Sequence, residues 1–327
     1  SECSAPSNGA RQGIYRARLP VITVNLVARL LAALSFAAFL GGCASGLPMT
    51  ASTTAAAVAT PVDTVAAKAA APTPASIEDL QRDIDAVLAG LRDNRDGELY
   101  SGAVEGVDPN DLALAIVLVD GRTIARGGTD VEFPLMSVSK PFTYALALEQ
   151  RGVDYMLDRI GVSATGLPYN SVTAGAVRRT SEQNPMVNAG AIATHSHILG
   201  GGPAAKSQAV VELYSRMANQ PLAIREAWRA TPRALTYTLA YQMQTAERLD
   251  GDVKDVANRY LESNIVAVTA GQLAQMGATL ANGGVQPVSG ERVLAPDTVR
   301  TVLSAMIIAG MYEDSGSWWT RVGVPAK

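Results

Sequence analysis

The pattern of hydrophobic and polar positions predicts a mixed α/β domain from residue 76 onward. Ser76-Ile77-Glu78-Asp79 has the form of a capping box, and apolar residues then recur at helical spacing as far as Leu91. The apolar run 112–119 is typical of a buried strand. Asp120-Gly121 and the apolar positions of 122–126 predict that the chain returns antiparallel to it.

The pattern after residue 140 is mostly helical. Two strands do not make a stable sheet, so we expect further strands elsewhere in the chain. Thr269 is the expected N-cap of one helix, which Asn282-Gly283-Gly284 ends. The helices predicted from spacing span residues 209–217, 223–230, 239–248, 253–262, 272–280 and 297–311.

The first 75 residues have a different pattern, which predicts export. Residues 1–43 combine arginines, an apolar run from Leu19 to Leu40 and the sequence Gly41-Gly42-Cys43, which resembles a bacterial lipobox. Residues 44–75 are rich in Ala, Thr and Pro and predict a disordered linker. We expect an exported, membrane-tethered domain over residues 76–327, a periplasmic lipoprotein with Cys43 lipidated. The alternative is an uncleaved transmembrane anchor.

Charge and metal-binding residue types narrow the classes of function. The formal net charge is −3, which gives no reason to expect a nucleic-acid partner. Cys3 and Cys43 are the only cysteines, so the domain has no thiolate metal site. His195 and His197 are two residues apart on a predicted helix and face different ways, without an acidic cluster beside them. We therefore predict no metal and no organic cofactor.

The candidate chemistry lies at Ser137-Val138-Ser139-Lys140, where a strand-like run turns into a helix. Ser137 and Lys140 are three apart, so they share a helix face, and a buried lysine with a lowered pKa could take the serine proton. The spacing is common by chance. The alternative is a helix N-cap serine with a solvated lysine one turn later.

Eight blocks together resemble the bacterial-type, serine-dependent glutaminases, a family with the β-lactamase and penicillin-binding-protein fold. This resemblance implies an antiparallel sheet flanked by helices, with a mostly helical subdomain. The blocks run in family order from about residue 98 to the end: 119–121, 137–140, 169–171, 184–192, 276–284, 290–294, 310–316 and 322–327.

The resemblance implies hydrolysis of the side-chain amide of L-glutamine, without a cofactor, through a glutamyl ester of Ser137. Lys140 would move the proton, with Tyr312 and Tyr260 as further catalytic residues that also bind substrate. Tyr100 and Asn188 match substrate-binding positions. Without the resemblance, the three tyrosines are equally compatible with core packing. Family members often form dimers or tetramers, so a homo-oligomer is possible.

The chain departs from the family pattern in its expected pocket and at its end. Met136 stands where the family has glutamine, Arg229 where it has a glutamate for the substrate ammonium group, and Thr236 where it has asparagine. The family also continues past Pro-Ala-Lys into a strand that supplies an oxyanion donor. We therefore expect the domain to lack its terminal strands. Two alternatives stay open: a hydrolase of altered amide or ester specificity, and an inactive remnant.

Overall fold

The computed structural model describes residues 76–96, 108, 110–171, 183–229 and 234–327. The expectations for residues 1–75 and for Tyr100 fall outside the described residues. The helices are α1 Ile77–Leu91, α2 Ser139–Arg151, α3 Val153–Arg159, α4 Asn188–Ser196, α5 Pro203–Ala218, α6 Ala234–Thr245, α7 Val253–Asn264, α8 Ala270–Ala281, α9 Pro296–Ala309 and α10 Ser315–Val322. The strands are β1 Ala113–Val117, β2 Thr123–Gly127, β3 Phe133–Pro134 and β4 Ala267–Val268.

The predicted hairpin is confirmed. β1 and β2 pair antiparallel with Ala115 opposite Ala125, and Gly121 adopts a positive φ of 87° in the turn. Among the described residues, no third strand pairs with either of them. Helices cover the hairpin instead, because α1 packs on β2 and α8 packs on β1. The capping box that begins α1 is also present, with Ser76 accepting from the backbone N–H of Asp79.

A second antiparallel ladder positions the start of α2 against the end of α7. Phe133 pairs with Val268, and the backbone N–H of Leu135 donates to the carbonyl of Val266 over 3.0 Å. β3 leads into Ser137, and β4 follows α7. This ladder therefore holds the turn at Ser137 close to the last turns of α7.

Helix α2 lies at the centre of the main core. All its residues from Ser139 to Leu148 are buried. Helices α4, α5 and α9 contact it. Within α4, Gly190 lies against the chain just before the helix, where a Cβ would be 2.1 Å from the carbonyl oxygen of Asn184. The helices that follow residue 140 thus form a bundle around the apolar helix α2.

The helix predicted over 223–230 is wrong. Ile224 forms an isolated antiparallel bridge with Val266, followed by a single 3-10 turn, Glu226–Trp228. Long-range backbone hydrogen bonds, from Arg225 N–H to Ile265 and from Ala267 N–H to Ala223, hold this segment extended. The other predicted helices are present, with ends that differ by up to six residues.

No helix in the described part of the chain combines the length and the apolar character needed to cross a membrane.

Candidate active site

Ser137 and Lys140 form a hydrogen-bonded pair at the entrance to α2. Ser137 lies in the 3-10 turn Met136–Val138, which runs directly into the helix. The Nζ atom of Lys140 lies 2.8 Å from Ser137 Oγ. Only 2% of Lys140 is exposed, so the alternative of a solvated lysine is wrong.

Burial changes the proton affinity of this amine. Desolvation lowers the pKa of Lys140 to about 8, with an opposing contribution from Tyr312. A substantial fraction of the amine is therefore neutral near pH 8 and can accept the proton of the neighbouring hydroxyl. A serine with such a base is an activated nucleophile.

Tyr260 connects the lysine to the start of α4. Lys140 Nζ lies 3.2 Å from the Tyr260 hydroxyl, which in turn donates to Asn188 Oδ1 over 3.2 Å. Tyr260 comes from α7, which β4 anchors beside the Ser137 turn. Asn188 is the first residue of α4. The NH2 group of its side chain is a donor that a ligand can use.

Tyr312 approaches Ser137 from the C-terminal part of the chain. It begins a short 3-10 turn after α9, and its hydroxyl hydrogen-bonds Ser137. Burial raises the pKa of Tyr312, while the nearby Lys140 and the Ser137 hydrogen bond oppose that shift. The tyrosine is therefore a neutral hydroxyl at neutral pH, able both to donate and to accept.

Two residues at this site have a left-handed backbone. Met136 has φ 49° and Tyr312 has φ 56°, and neither is glycine. Such conformations are uncommon for residues with a side chain and cluster at functional sites.

The structure brings together all the predicted site residues that it describes. One connected set of hydrogen bonds links them: Ser137, Lys140, Tyr260, Asn188 and Tyr312. Their catalytic roles stay predictions, as does any role of Tyr100.

Sequence reasoning assigned no role to two residues that line Tyr312. The ring of Tyr169 stacks on that of Tyr312 with centroids 4.3 Å apart. Lys327 Nζ lies 3.5 Å from the Tyr312 ring centroid and donates to the carbonyl of Gly310 over 2.9 Å. Burial, with Lys140 nearby, lowers the pKa of Lys327 to about 6. Both residues lie in blocks that resemble the glutaminase family, and that resemblance was the only indication in the sequence that they belong to the site.

The two histidines have separate surroundings. His195 is buried against Tyr260, whereas His197 is buried beside Tyr155 and Asp250. Burial is the main cause that lowers the pKa of His197 to about 4. Within the described ranges, no group of three or more His, Cys, Asp or Glu side chains is placed to hold a metal.

Arg229 is balanced by two carboxylates. Its guanidinium contacts Glu226 at 2.6 Å and Glu262 at 3.1 Å. Glu262 lies two residues after Tyr260 on α7, so it points to a different helix face. These two carboxylates offset the positive charge that Arg229 places where the family has a glutamate. Thr236, the other departure in this region, is buried near the start of α6.

A helix-rich domain with a small antiparallel sheet, in which a serine and a buried lysine pair at the start of a central helix, has the architecture of the β-lactamase-like class. The glutaminase family model matches residues 99–327. A glutaminase of Colwellia psychrerythraea is 39% identical over 231 residues, covering 70% of this chain and 74% of that protein. The chain belongs to the glutaminase family.

Solved structures agree with this assignment. The probable glutaminase ybaS superposes with a TM-score of 0.73 at 32% identity, covering 77% of this chain and 83% of that one. Mglu in its glutamate form superposes with a TM-score of 0.68 at 31% identity, covering 74% of this chain and 57% of that one.

Proposed function

We propose that this protein hydrolyses the side-chain amide of L-glutamine to L-glutamate and ammonia through an ester on Ser137. The observation that carries the proposal is the 2.8 Å contact between Ser137 Oγ and the buried amine of Lys140. Family membership supplies the substrate, and one related structure is described as the glutamate form of Mglu.

In the first half-reaction, neutral Lys140 takes the proton of Ser137 as Oγ attacks the amide carbon. The backbone N–H of Ser137, at the entrance to a helix, stabilises the developing oxyanion. The carbon–nitrogen bond then breaks, and the proton returns to the leaving nitrogen through Lys140 and Tyr312. Ammonia leaves and the glutamyl ester stays on Ser137.

In the second half-reaction, water attacks the ester carbonyl and gives its proton to the same relay. The bond to Oγ breaks, Ser137 recovers its proton and glutamate leaves. Tyr260 holds Lys140 in place between these steps, and the amide of Asn188 contacts the substrate. The reaction needs no redox partner.

The experiment is ammonia release from L-glutamine by the full chain and by Ser137→Ala. The control is Ser304→Ala, which removes a hydroxyl bonded only to its own helix backbone at Arg300. We expect release from the wild type and from the control, and none from Ser137→Ala. Ammonia release from L-asparagine, or hydrolysis of a simple ester to acid and alcohol, without ammonia release from L-glutamine would favour altered specificity over this proposal.

We further propose that Cys43, lipidated as the first residue of the mature chain, and the linker 44–75 tether the domain to a membrane outside the cytoplasm. The lipobox-like end of the apolar run supports this. Metabolic labelling with a radioactive fatty acid in a bacterial host should mark the wild type and not Cys43→Ser. Equal labelling of both proteins, or labelling of neither, would contradict lipidation at this cysteine.

A further inference from the structure

A buried polar cluster lies behind the Ser137–Lys140 pair, on the side away from the hydroxyl that reacts. Its members are Ser139, Thr143, His195, Tyr214 and Ser263, and each is at least 97% buried. They come from α2, α4, α5 and α7. Buried polar groups are costly unless they are satisfied, so such a cluster needs a reason.

The first half of the cluster fixes the turn that carries Ser137 and Lys140. The Tyr214 hydroxyl donates to the carbonyl oxygen of Ser139 over 3.0 Å, and the hydroxyl of Thr143 reaches the same oxygen at 3.2 Å. Ser139 lies between Ser137 and Lys140 in the first turn of the helix. Moving its peptide group would therefore move both reacting side chains.

The second half fixes Tyr260. Ser263 Oγ donates to the carbonyl of Tyr260 over 2.8 Å and lies 3.2 Å from His195 Nε2. The ring of His195 packs edge-on against the ring of Tyr260, with centroids 5.9 Å apart. Arg259 holds the backbone of His195 through a 2.6 Å hydrogen bond to its carbonyl.

The two halves are adjacent, because the Tyr214 hydroxyl also faces Ser263. One half supports the peptide of Ser139 and the other supports Tyr260. We propose that Tyr214 and Ser263 are positioning residues that set the distances from Lys140 Nζ to Ser137 Oγ and to the Tyr260 hydroxyl.

The groups around Lys140 make its position important for its protonation. The ionisable groups in this region are Lys140 itself, His195, Tyr260, Tyr312, Lys327 beyond Tyr312, and Arg259, which is paired with Asp255 at 2.9 Å. Lys140 is the one whose amine must become neutral for the reaction. A looser first turn would admit water to that amine and favour its charged form.

The chain offers a closely matched control for a test. Tyr144 lies on α2, is fully buried like Tyr214, and its hydroxyl has no hydrogen-bond partner in the described structure. Tyr214→Phe and Tyr144→Phe therefore remove the same atom from equally buried sites. Only the first removes a link to the Ser139 peptide. Ser263→Ala removes the contacts to the Tyr260 carbonyl and to His195 and serves as a second test variant.

The inference rests on the proposed function, and two readouts keep the outcomes separable. Glutamine hydrolysis gives kcat, KM and the pH profile. Phosphonylation of Ser137 by a fluorophosphonate reagent reports the activated serine without depending on glutamine. Both are measured on the full chain in the absence of urea. Circular dichroism first establishes that each variant is folded.

We expect Tyr214→Phe and Ser263→Ala each to lower kcat roughly tenfold with little change in KM, since misplacement of reacting groups acts on the chemical step. The acid limb of the rate profile and of Ser137 phosphonylation should move to higher pH. Tyr144→Phe should leave both unchanged. The proposal is overturned if Tyr214→Phe behaves like Tyr144→Phe, or if it changes KM alone. Failure of the proposed function would show instead as a wild type that phosphonylates but releases no ammonia.

Discussion

The amine of Lys140 and the hydroxyl of Tyr260 are hydrogen-bonded, with Nζ 3.2 Å from the phenol oxygen. Tyr260 therefore orients the amine through its hydroxyl. The two residues are 120 positions apart in sequence.

Removing the Tyr260 hydroxyl should impair catalysis. Tyr260→Phe keeps the ring but breaks the bonds to Lys140 and Asn188, so we expect kcat to fall by roughly tenfold or more. Tyr237→Phe is the control, since its hydroxyl bonds Asn258 at 2.6 Å on another face of α7. Steady-state ammonia release measures both. Equal rates for the two variants would contradict a role for the Tyr260 hydroxyl.

The rate should depend on pH through Lys140. Its pKa is lowered to about 8, and the reaction needs the neutral amine. Consequently kcat/KM should rise with pH and level off above pH 8, where protonation no longer limits the fraction of active enzyme. An acid limb near the ordinary lysine pKa of 10.5, or a flat profile from pH 6 to 10, would contradict Lys140 as the base.

Replacing the base should remove activity yet increase stability near neutral pH. The folded pKa of Lys140 is below the unfolded one, so the unfolded state binds more protons between pH 8 and 10.5. Wild-type stability should therefore rise with pH in that window, and the full cost of the buried charge, up to about 3 kcal/mol, applies below pH 8. Lys140→Met avoids this cost but loses two hydrogen bonds.

Urea unfolding at pH 7 and pH 10.5 tests that prediction. The stability advantage of Lys140→Met over the wild type should be larger at pH 7 than at pH 10.5. Lys254→Met, at an exposed position on α7, should show no such pH-dependent difference. A Lys140→Met variant with normal turnover, or with the same relative stability at both pH values, would refute the argument.

Gly190 should be essential for the packing of α4. A methyl group there would overlap the carbonyl of Asn184, so Gly190→Ala should cost roughly 1–3 kcal/mol of unfolding free energy and displace Asn188. Gly277→Ala is the matched control, because a Cβ at this helical glycine meets nothing within 4 Å. It should stabilise by about 0.5–1 kcal/mol. Urea denaturation of both variants measures these changes in unfolding free energy. Equal changes in the two variants would contradict the packing argument.

Features set by neighbours in sequence could be predicted. The Ser76–Asp79 capping box, the turn at Asp120-Gly121 and the shared face of Ser137 and Lys140 all depend on spacings of four residues or fewer. The Thr269 cap is a further example, since its box with Gln272 is present. Local geometry decides these features, so local sequence reveals them.

Features set by distant contacts could not be read this way. Residues 223–225 look helical by composition, yet they pair with 265–267 and are held extended. The contact between the Lys327 amine and the Tyr312 ring also depends on how the chain returns to the site. Only the resemblance to a family pointed to Tyr260, Asn188 and Tyr312, because no local pattern distinguishes them from core residues.

The left-handed backbones at Met136 and Tyr312 also limit which sequences this site can explore. Glycine and asparagine tolerate such a conformation, whereas β-branched residues are disfavoured by steric clashes. In a library of all single substitutions selected for folding alone, position 136 should retain Asn and Gly and lose Val, Ile and Thr. The backbone conformation at one position thus restricts which substitutions the site can accept.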